Sequence, residues 1–355
     1  MRDGESMRKT LKNIVPAAHL YVRESVLEKG NVAGVKKNRT AWAKDLKFSD
    51  NAEYTFFAGC GYHSMRYLEG MAKGAKAMKW AGIDVDQSID LNRGMGRFFN
   101  RFGIDIPGLA GSLLAESKKD LYTGVLTCAV HVLQNIGIEL GYLFEKEPCC
   151  GSPLYYSGFL DDYAENANRV CDLFKKVGVR KVIGLLPGCT ASLKNLYPKV
   201  IKEYDLEVYH FSEIVAAAIR EKRITPKLKE KLVVTYHDPC QLSRYLDLTK
   251  EPREILRSIA NLELREAQAD RSGQWSTCCG GGGLEGSSPE LSERMGLRRA
   301  EELLRAGADV IVTHCPACIM QLRRSVEKMK AKTKVLDLVE IIHQALPNWR
   351  TSLRI

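Results

Sequence analysis

Short runs of β-branched and aromatic residues recur along the chain, and each stops at a cysteine: YTFFAGC ends at Cys60, VIGLLPGC at Cys189, LVVTYHDPC at Cys240 and DVIVTHC at Cys315. Runs of this length and composition read as buried strands. Helical patterns lie between them. Leu160, Tyr163, Ala164, Ala167, Cys171 and Phe174 fall on one face of a segment that ends before Gly178, a residue type that closes helices in the left-handed conformation. Further on, Ser288 suits an N-cap and Pro289 the first helical position, with Leu291, Met295, Leu303 and Leu304 turned inward and Gly307 as the stop. The alternation predicts an α/β fold of parallel strands flanked by helices. Its cysteines stand at the C-terminal ends of strands, where ligands of such sheets collect.

The same order of elements occurs twice. Residues 54–215 and 234–342 each give a strand with cysteine, a helix, Cys-Cys-Gly, a helix and a second strand with cysteine, and then VYHFSEIV or VLDLVEII. Cys150 and Cys189 are 39 positions apart, Cys279 and Cys315 are 36, and Val208 and Val335 follow the second cysteine strand by 19 and 20. The first interval differs: Cys60 to Cys149 spans 89 positions and Cys240 to Cys278 only 38, leaving 51 extra residues in the first half. We place this insertion at about 75–125, inside a first domain of 51–220. A helical linker segment over 1–50 precedes it and a second domain of 230–345 follows.

Composition narrows the function. The chain has 355 residues, 45% of them hydrophobic and 27% charged, which suffices to close a core. No apolar run reaches the roughly 18 residues of a membrane span, and the first 20 residues lack a signal-type apolar region, so a cytoplasmic protein is expected. Lys and Arg exceed Asp and Glu by 53 to 43, yet the basic residues are scattered, and even the dense run from Arg323 to Lys334 includes Glu327. That distribution argues against nucleic acid as a partner.

Eleven cysteines in a reducing compartment read as metal ligands or redox groups before disulfides. Cys240, Cys278, Cys279, Cys315 and Cys318 converge at predicted strand ends, where five thiolates would repel one another unless a cationic centre neutralised them. Tetrahedral zinc takes four ligands, so a fifth sulfur favours an iron–sulfur cluster of unusual shape, and the spacing is not that of bacterial ferredoxins. In the first half Cys60, Cys149, Cys150 and Cys189 match, but Ser192 stands where the second half has Cys318. Four thiols suit either a cluster or zinc. Cys128 and Cys171 lie in apolar patterns and read as core residues.

The series Cys240, Cys278-Cys279-Gly280 and Cys315-Pro316-Ala317-Cys318 resembles the cysteine-rich CCG domain of the heterodisulfide reductase B and D subunits. HDPC at 237–240 followed by Arg244, FAGC at 57–60, EPCCGSP at 147–153 and the linker-like stretch 28–46 share the likeness, which covers about residues 20–345. The resemblance implies a noncubane [4Fe–4S] cluster on Cys240, Cys278, Cys279, Cys315 and Cys318 that meets a disulfide and cleaves it by one-electron steps. It implies a second iron–sulfur cluster, or zinc, on Cys60, Cys149, Cys150 and Cys189. His237 and His314 precede cluster cysteines and are candidates to donate a proton to a leaving thiolate or a hydrogen bond to sulfur, or simply to satisfy their turns. Gly280 and Gly281 would let backbone N–H groups approach sulfur. Arg244 is a candidate for a substrate anion or a plain surface residue, and Arg93, Arg97 and Arg101 with Phe98, Phe99 and Phe102 form either a lid or a helical extension.

The expected function is the catalytic subunit of a heterodisulfide reductase-like complex, acting on a small disulfide or its thiols. No flavin or ferredoxin motif is present, so electrons would pass through an iron–sulfur C-type subunit and a flavoprotein A-type subunit. Two other readings remain open: an electron-relay subunit of a dehydrogenase or quinone-linked complex, and a zinc-stabilised scaffold.

Overall fold

The computed structural model describes residues 15–34, 39–82, 121–267 and 269–347. Two four-stranded sheets, parallel throughout, organise them. The first is built from β1 (Tyr54–Phe57), β2 (Leu140–Tyr142), β3 (Lys181–Gly184) and β4 (Glu207–His210), and the second from β5 (Lys227–Tyr236), β6 (Ala260–Leu264), β7 (Val310–Thr313) and β8 (Lys334–Asp337). Their strand orders are β2-β1-β3-β4 and β6-β5-β7-β8, the same permutation twice. Duplication predicted from cysteine spacing is therefore present in the pairing of the backbone. β7 is buried along its whole length and β1 and β3 nearly so. That burial explains their unbroken apolar runs, since strands covered on both faces have no polar side to alternate with.

β2 and β6, absent from the sequence prediction, are the edge strands. β2 is a three-residue LGY, and β6 reads ANLEL and is largely exposed. The predicted strands also end earlier than the cysteines. Cys60 opens helix α2 (Cys60–Trp80), which follows α1 (Ala17–Lys29). Cys315 is the N-cap of a later helix over Pro316–Lys328, and Cys240 is the N-cap of a single wide turn over Gln241–Tyr245. The thiols thus stand just beyond the strand ends, two of them where a long helix begins. There the unpaired N–H groups favour negative charge.

The remaining helices in chain order are α3 (Leu121–Asn135), α4 (Ser152–Tyr156), α5 (Leu160–Val177), α6 (Pro187–Ala191), α7 (Phe211–Arg220), α8 (Glu251–Ser258), α9 (Leu284–Ser287), α10 (Pro289–Leu304), α11 (Pro316–Lys328) and α12 (Leu338–Ala345). Helix α5 buries Tyr163, Ala167, Cys171 and Phe174 and closes at Gly178 with φ of 76°, as its pattern predicts, but Leu160 in its first turn is 56% exposed. Helix α10 departs further. Leu291 is 48% exposed, and the buried face consists of Ser292, Gly296, Arg299, Ala300, Glu302 and Leu303. This helix turns polar groups inward, for a reason found at the site. Of the expected insertion, residues 83–120 lie outside the described residues, as does the whole arginine–phenylalanine segment over 91–111.

One apolar core runs through both halves, joining Phe56, Leu126 and Ile183 to Val312, Ile319 and Ile342. Helix α3 packs on α12, α2 on α11 and α7 on α8, so each half covers faces of the other. The repeat extends to the caps. His210 at the end of β4 and Asp337 at the end of β8 each accept the backbone N–H two residues on, and Glu213 and Glu340 reach back to complete both capping boxes.

Across the junction, Tyr62 donates to Asp337 Oδ2 at 2.7 Å, while the other oxygen, Oδ1, lies 2.7 Å from His314 Nδ1. All three side chains are fully buried. Removing the hydroxyl with Tyr62→Phe strands a buried acceptor and is expected to cost about 2 kcal/mol in chemical denaturation. Tyr209→Phe, which removes only an exposed bond to Glu207, should leave the denaturation midpoint in place.

Candidate metal centre

Each sheet changes direction of growth between its two central strands, β1 and β3 or β5 and β7, and the cysteines gather at those two points. This is where open parallel sheets form a crevice. In the second half, Cys240 follows β5, Cys315 follows β7, Cys318 lies one turn into α11, and Cys278 and Cys279 come from the loop after β6. Cys279 Sγ and Cys318 Sγ are 3.2 Å apart. A ring nitrogen of His237 lies within 4.8 Å of both. The structure thus brings together the five predicted cysteines and His237.

Their protons reveal the strain. Hydrogen bonds from Cys240 first, and Cys279 next, hold the Cys278 thiol down at about 2. Cys240 in turn is pushed up, chiefly by the proton it shares with Cys278 and then by burial. Cys279 is raised by sharing with Cys278, Cys318 by sharing with Cys279 and Cys315, and Cys315 is lowered by its bond from Cys318. Two sulfurs, Cys278 and Cys315, are thus held low while Cys240, Cys279 and Cys318 are raised, because a poorly solvated pocket does not hold several negative sulfurs without a cation.

Backbone N–H groups also face the sulfurs. Gly280 N lies 3.4 Å from Cys278 Sγ and Gly281 N 3.4 Å from Cys279 Sγ, while Cys315 accepts from the amides of Ala317 and Cys318. Gly280 has φ of +81°, and a Cβ there would stand 2.5 Å from the carbonyl oxygen of Ser292; at Gly281 it would stand 2.9 Å from that of Ala317. Only glycine lets this loop lie so close to α10 and α11. Sulfur donors in excess of four, amide donors on those sulfurs and an unpartnered buried Nε2 on His237 fit an iron–sulfur group better than a lone ion.

The first-half site is smaller and sealed. Cys60 and Cys149 Sγ are 3.8 Å apart and Cys150 and Cys189 Sγ 3.1 Å, with all four residues buried. Cys150 is held low by bonds from Cys149 and then Cys189, and both of those are raised, so here too protons are shared among the sulfurs. Ser192, the counterpart of Cys318, donates to the Cys150 carbonyl at 3.0 Å and pairs with Tyr163 at 3.0 Å. It is committed to that network, which leaves four sulfurs as donors. Glu147, buried beside them, accepts from the amides of Ala58 and Gly59 at 2.8 and 3.0 Å, and burial raises its carboxyl to about 8.

The two sites stand back to back. A Cβ on Gly61, beside Cys60, would lie 3.4 Å from Pro316 Cγ, beside Cys315; one on Gly188, beside Cys189, would meet Gln241, beside Cys240. The second site differs in access, since Cys240, Cys278 and Cys315 are only partly buried.

Other predicted residues fall elsewhere. Arg244 donates to the carbonyls of Gln274 and Ser276 at 2.9 and 2.6 Å, stapling the turn after Cys240 to the loop before Cys278. His314 turns to Asp337, with His210 packed edge-on 5.0 Å away, and its Nε2 has no partner among the described residues. Cys128 and Cys171 are buried core residues whose thiols burial raises to about 12 and about 11. Sequence reasoning missed Tyr62, Asp337 and Arg299. Asp337 carried a signal, its alignment with His210 in the repeat, while Arg299 in mid-helix carried none.

Comparison with known proteins agrees with the geometry. Residues 115–194 and 234–323 match the CCG cysteine-rich domain, one stretch in each half. The D subunit of the dihydromethanophenazine:CoB–CoM heterodisulfide reductase of Methanosarcina barkeri is 34% identical over 220 residues, 61% of this chain and 53% of that one. The B subunit of the CoM/CoB fumarate reductase of Methanothermobacter marburgensis is 35% identical over 221 residues, 61% and 42% of the two chains. The EtfAB:quinone oxidoreductase of Syntrophomonas wolfei is 30% identical over 327 residues, 81% and 45%. The chain thus spans about half the length of these curated relatives. Among the described residues no helix is long and apolar enough to cross a membrane.

Metal binding at these sites must expel the shared protons, because sulfur ligates as thiolate. Cys240, Cys279 and Cys318 hold protons above the usual thiol range, so affinity should rise with pH by about tenfold per unit for each proton released. Chelator competition for zinc on metal-free protein, at two pH values one unit apart, checks this. A pH-independent affinity would refute the proton-sharing arrangement.

Proposed function

We propose, for a chain that carries two CCG cysteine-rich domains and is related to heterodisulfide reductase D subunits, that it is the redox subunit in which a small disulfide is reduced or the corresponding thiols are oxidised. The observation that carries this reading is the difference in access between the two sulfur sites. Four buried cysteines close the first, whereas Cys240, Cys278 and Cys315 leave the second only partly covered. An iron–sulfur cluster held there would supply single electrons beside cysteines that are not wholly covered.

The chain's own part is to hold and orient. Cys240, Cys278, Cys279, Cys315 and Cys318 provide the thiolates, and Gly280 and Gly281 direct amide N–H groups at two of them. His237 and His314 are the buried imidazoles nearest in sequence to Cys240 and Cys315. Reduction takes in a disulfide, two electrons and two protons and returns two thiols, so electrons arriving singly must be accumulated or delivered twice. The first site, on Cys60, Cys149, Cys150 and Cys189, lies directly behind the second and suits a second iron–sulfur centre or a structural zinc. Electrons would enter from an iron–sulfur C-type subunit fed by a flavoprotein A-type subunit.

A relay reading has its own support. The quinone oxidoreductase relative aligns with 81% of this chain, and in that reading the second site passes electrons onward without touching a disulfide. Iron and acid-labile sulfide analysis, with EPR of anaerobic protein oxidised in the presence of candidate thiols, separates the two. A paramagnetic signal that depends on the thiol and is lost in Cys278→Ala, while Cys60→Ala retains it, is expected for the disulfide-reducing role. Full iron content without any thiol-dependent signal would reject that reading in favour of the relay, and a colourless zinc protein would reject both.

A further inference from the structure

Arg299 is the largest fully buried side chain among the described residues, and it explains why α10 turns a polar face inward. Its Nε donates to His237 Nδ1 at 3.1 Å. Its Nη1 donates to the Arg271 carbonyl at 3.0 Å and to Glu302 Oε2 at 3.1 Å. Glu302, itself buried, balances the charge and also accepts from Arg271 and from Thr277, the residue before Cys278. On the other side of the imidazole, His237 Nε2 is buried without a partner among the described residues, and the ring stands within 4.8 Å of Cys279 and Cys318 Sγ. The backbone fixes the ring as well, since His237 N donates to Val312 O at 2.8 Å across to β7.

Guanidinium has only donors. A nitrogen that accepts from it carries no proton, so a neutral His237 bears its proton on Nε2, the nitrogen left for the sulfurs. Ligation through Nε2 would require an imidazole stripped of both protons, with its second nitrogen still facing a cation. Metal-bound histidines show the opposite pattern, in which the free nitrogen donates its N–H outward. We infer that Arg299 locks His237 as a hydrogen-bond donor to sulfur on the Cys279–Cys318 side of the second site, which makes His237 a donor and not a ligand, and Arg299 a positioning residue. This rests on the proposal that the second site holds an iron–sulfur cluster. Hydrogen bonds to cluster sulfur favour the reduced, more negative state, so the pair raises the reduction potential.

The test begins with wild-type protein labelled with 15N-histidine, in a paramagnetic state confirmed to contain iron and sulfide. Hyperfine spectroscopy should show a weakly coupled histidine nitrogen that disappears in His237→Phe. In redox titrations followed by EPR, His237→Phe should move the midpoint potential in the negative direction. His237→Gln, which keeps an N–H donor, should restore most of it, and Arg299→Lys, which keeps the charge but loses the fixed fork, should shift it as His237→Phe does. A strongly coupled nitrogen typical of direct ligation, or an unmoved potential in an iron-replete His237→Phe protein, would overturn the donor assignment while leaving the cluster standing. Absence of iron from the wild-type second site would overturn the cluster reading and the donor assignment with it. If Arg299→Lys does not fold, the wild-type spectrum and the two His237 variants still decide.

Discussion

Several sulfur atoms share two small pockets, and the cost of negative charge there governs their surroundings. Bringing thiolates together in a poorly solvated site is unfavourable by itself, so without a cation neighbouring cysteines share protons, a few held low and the others raised. The main features near the sulfurs address the same difficulty. Long helices begin at Cys60 and just after Cys315, amides point at Cys278 and Cys279, and glycines stand where any side chain would keep those amides away. Such a pocket suits a multivalent positive centre, and in the second half the five sulfurs exceed what one tetrahedral ion takes.

Duplication built the pocket twice, and the copies have diverged in ways that bear on use. Strand order and capping boxes remain the same in both. In the first copy Ser192 stands at the position of the fifth sulfur, its hydroxyl drawn into bonds with Tyr163 and the Cys150 carbonyl, and all four cysteines are buried. In the second copy five sulfurs remain and three of the cysteines are partly uncovered. A sealed centre can transfer an electron, since tunnelling needs no contact with solvent, but a substrate sulfur must touch its partner. The closed copy therefore suits storage or structure and the open copy suits chemistry. Residues beside the two sites pack on each other, Gly61 against Pro316 and Gly188 against Gln241.

Much of this was legible in the sequence, and what was not shares a physical origin. The parallel α/β class, the repeat and the convergence of cysteines at strand ends follow from short-range patterns, because buried parallel strands are unbroken apolar runs and each run points to a cysteine. Edge strands β2 and β6 escaped because one is three residues long and the other is mostly exposed. The inward face of α10 was misjudged at Leu291 because periodicity assumes that apolar residues turn inward, whereas this helix buries Arg299 and Glu302 for the sake of the site. The bond between Tyr62 and Asp337 joins residues 275 positions apart. No local signal reports such a pairing.

Burying an arginine, a glutamate and two histidines is expensive unless each finds partners, and an apolar core would serve stability at least as well. The polar groups here are not scattered. Thr277, Glu302, Arg299 and His237 form one connected set that ends at His237, within 4.8 Å of the Cys279 and Cys318 sulfurs. Tyr62, Asp337 and His314 form another, which starts two residues after Cys60 and ends one residue before Cys315. The first set reaches only the open site, and the second ties the backbone of the sealed site to that of the open one. Polar networks anchored in the core and reaching the neighbourhood of the cysteines hold donors and charges at fixed places around them. Stability alone does not call for that arrangement, since an apolar core would serve it as well, and its position beside the five cysteines ties it to them.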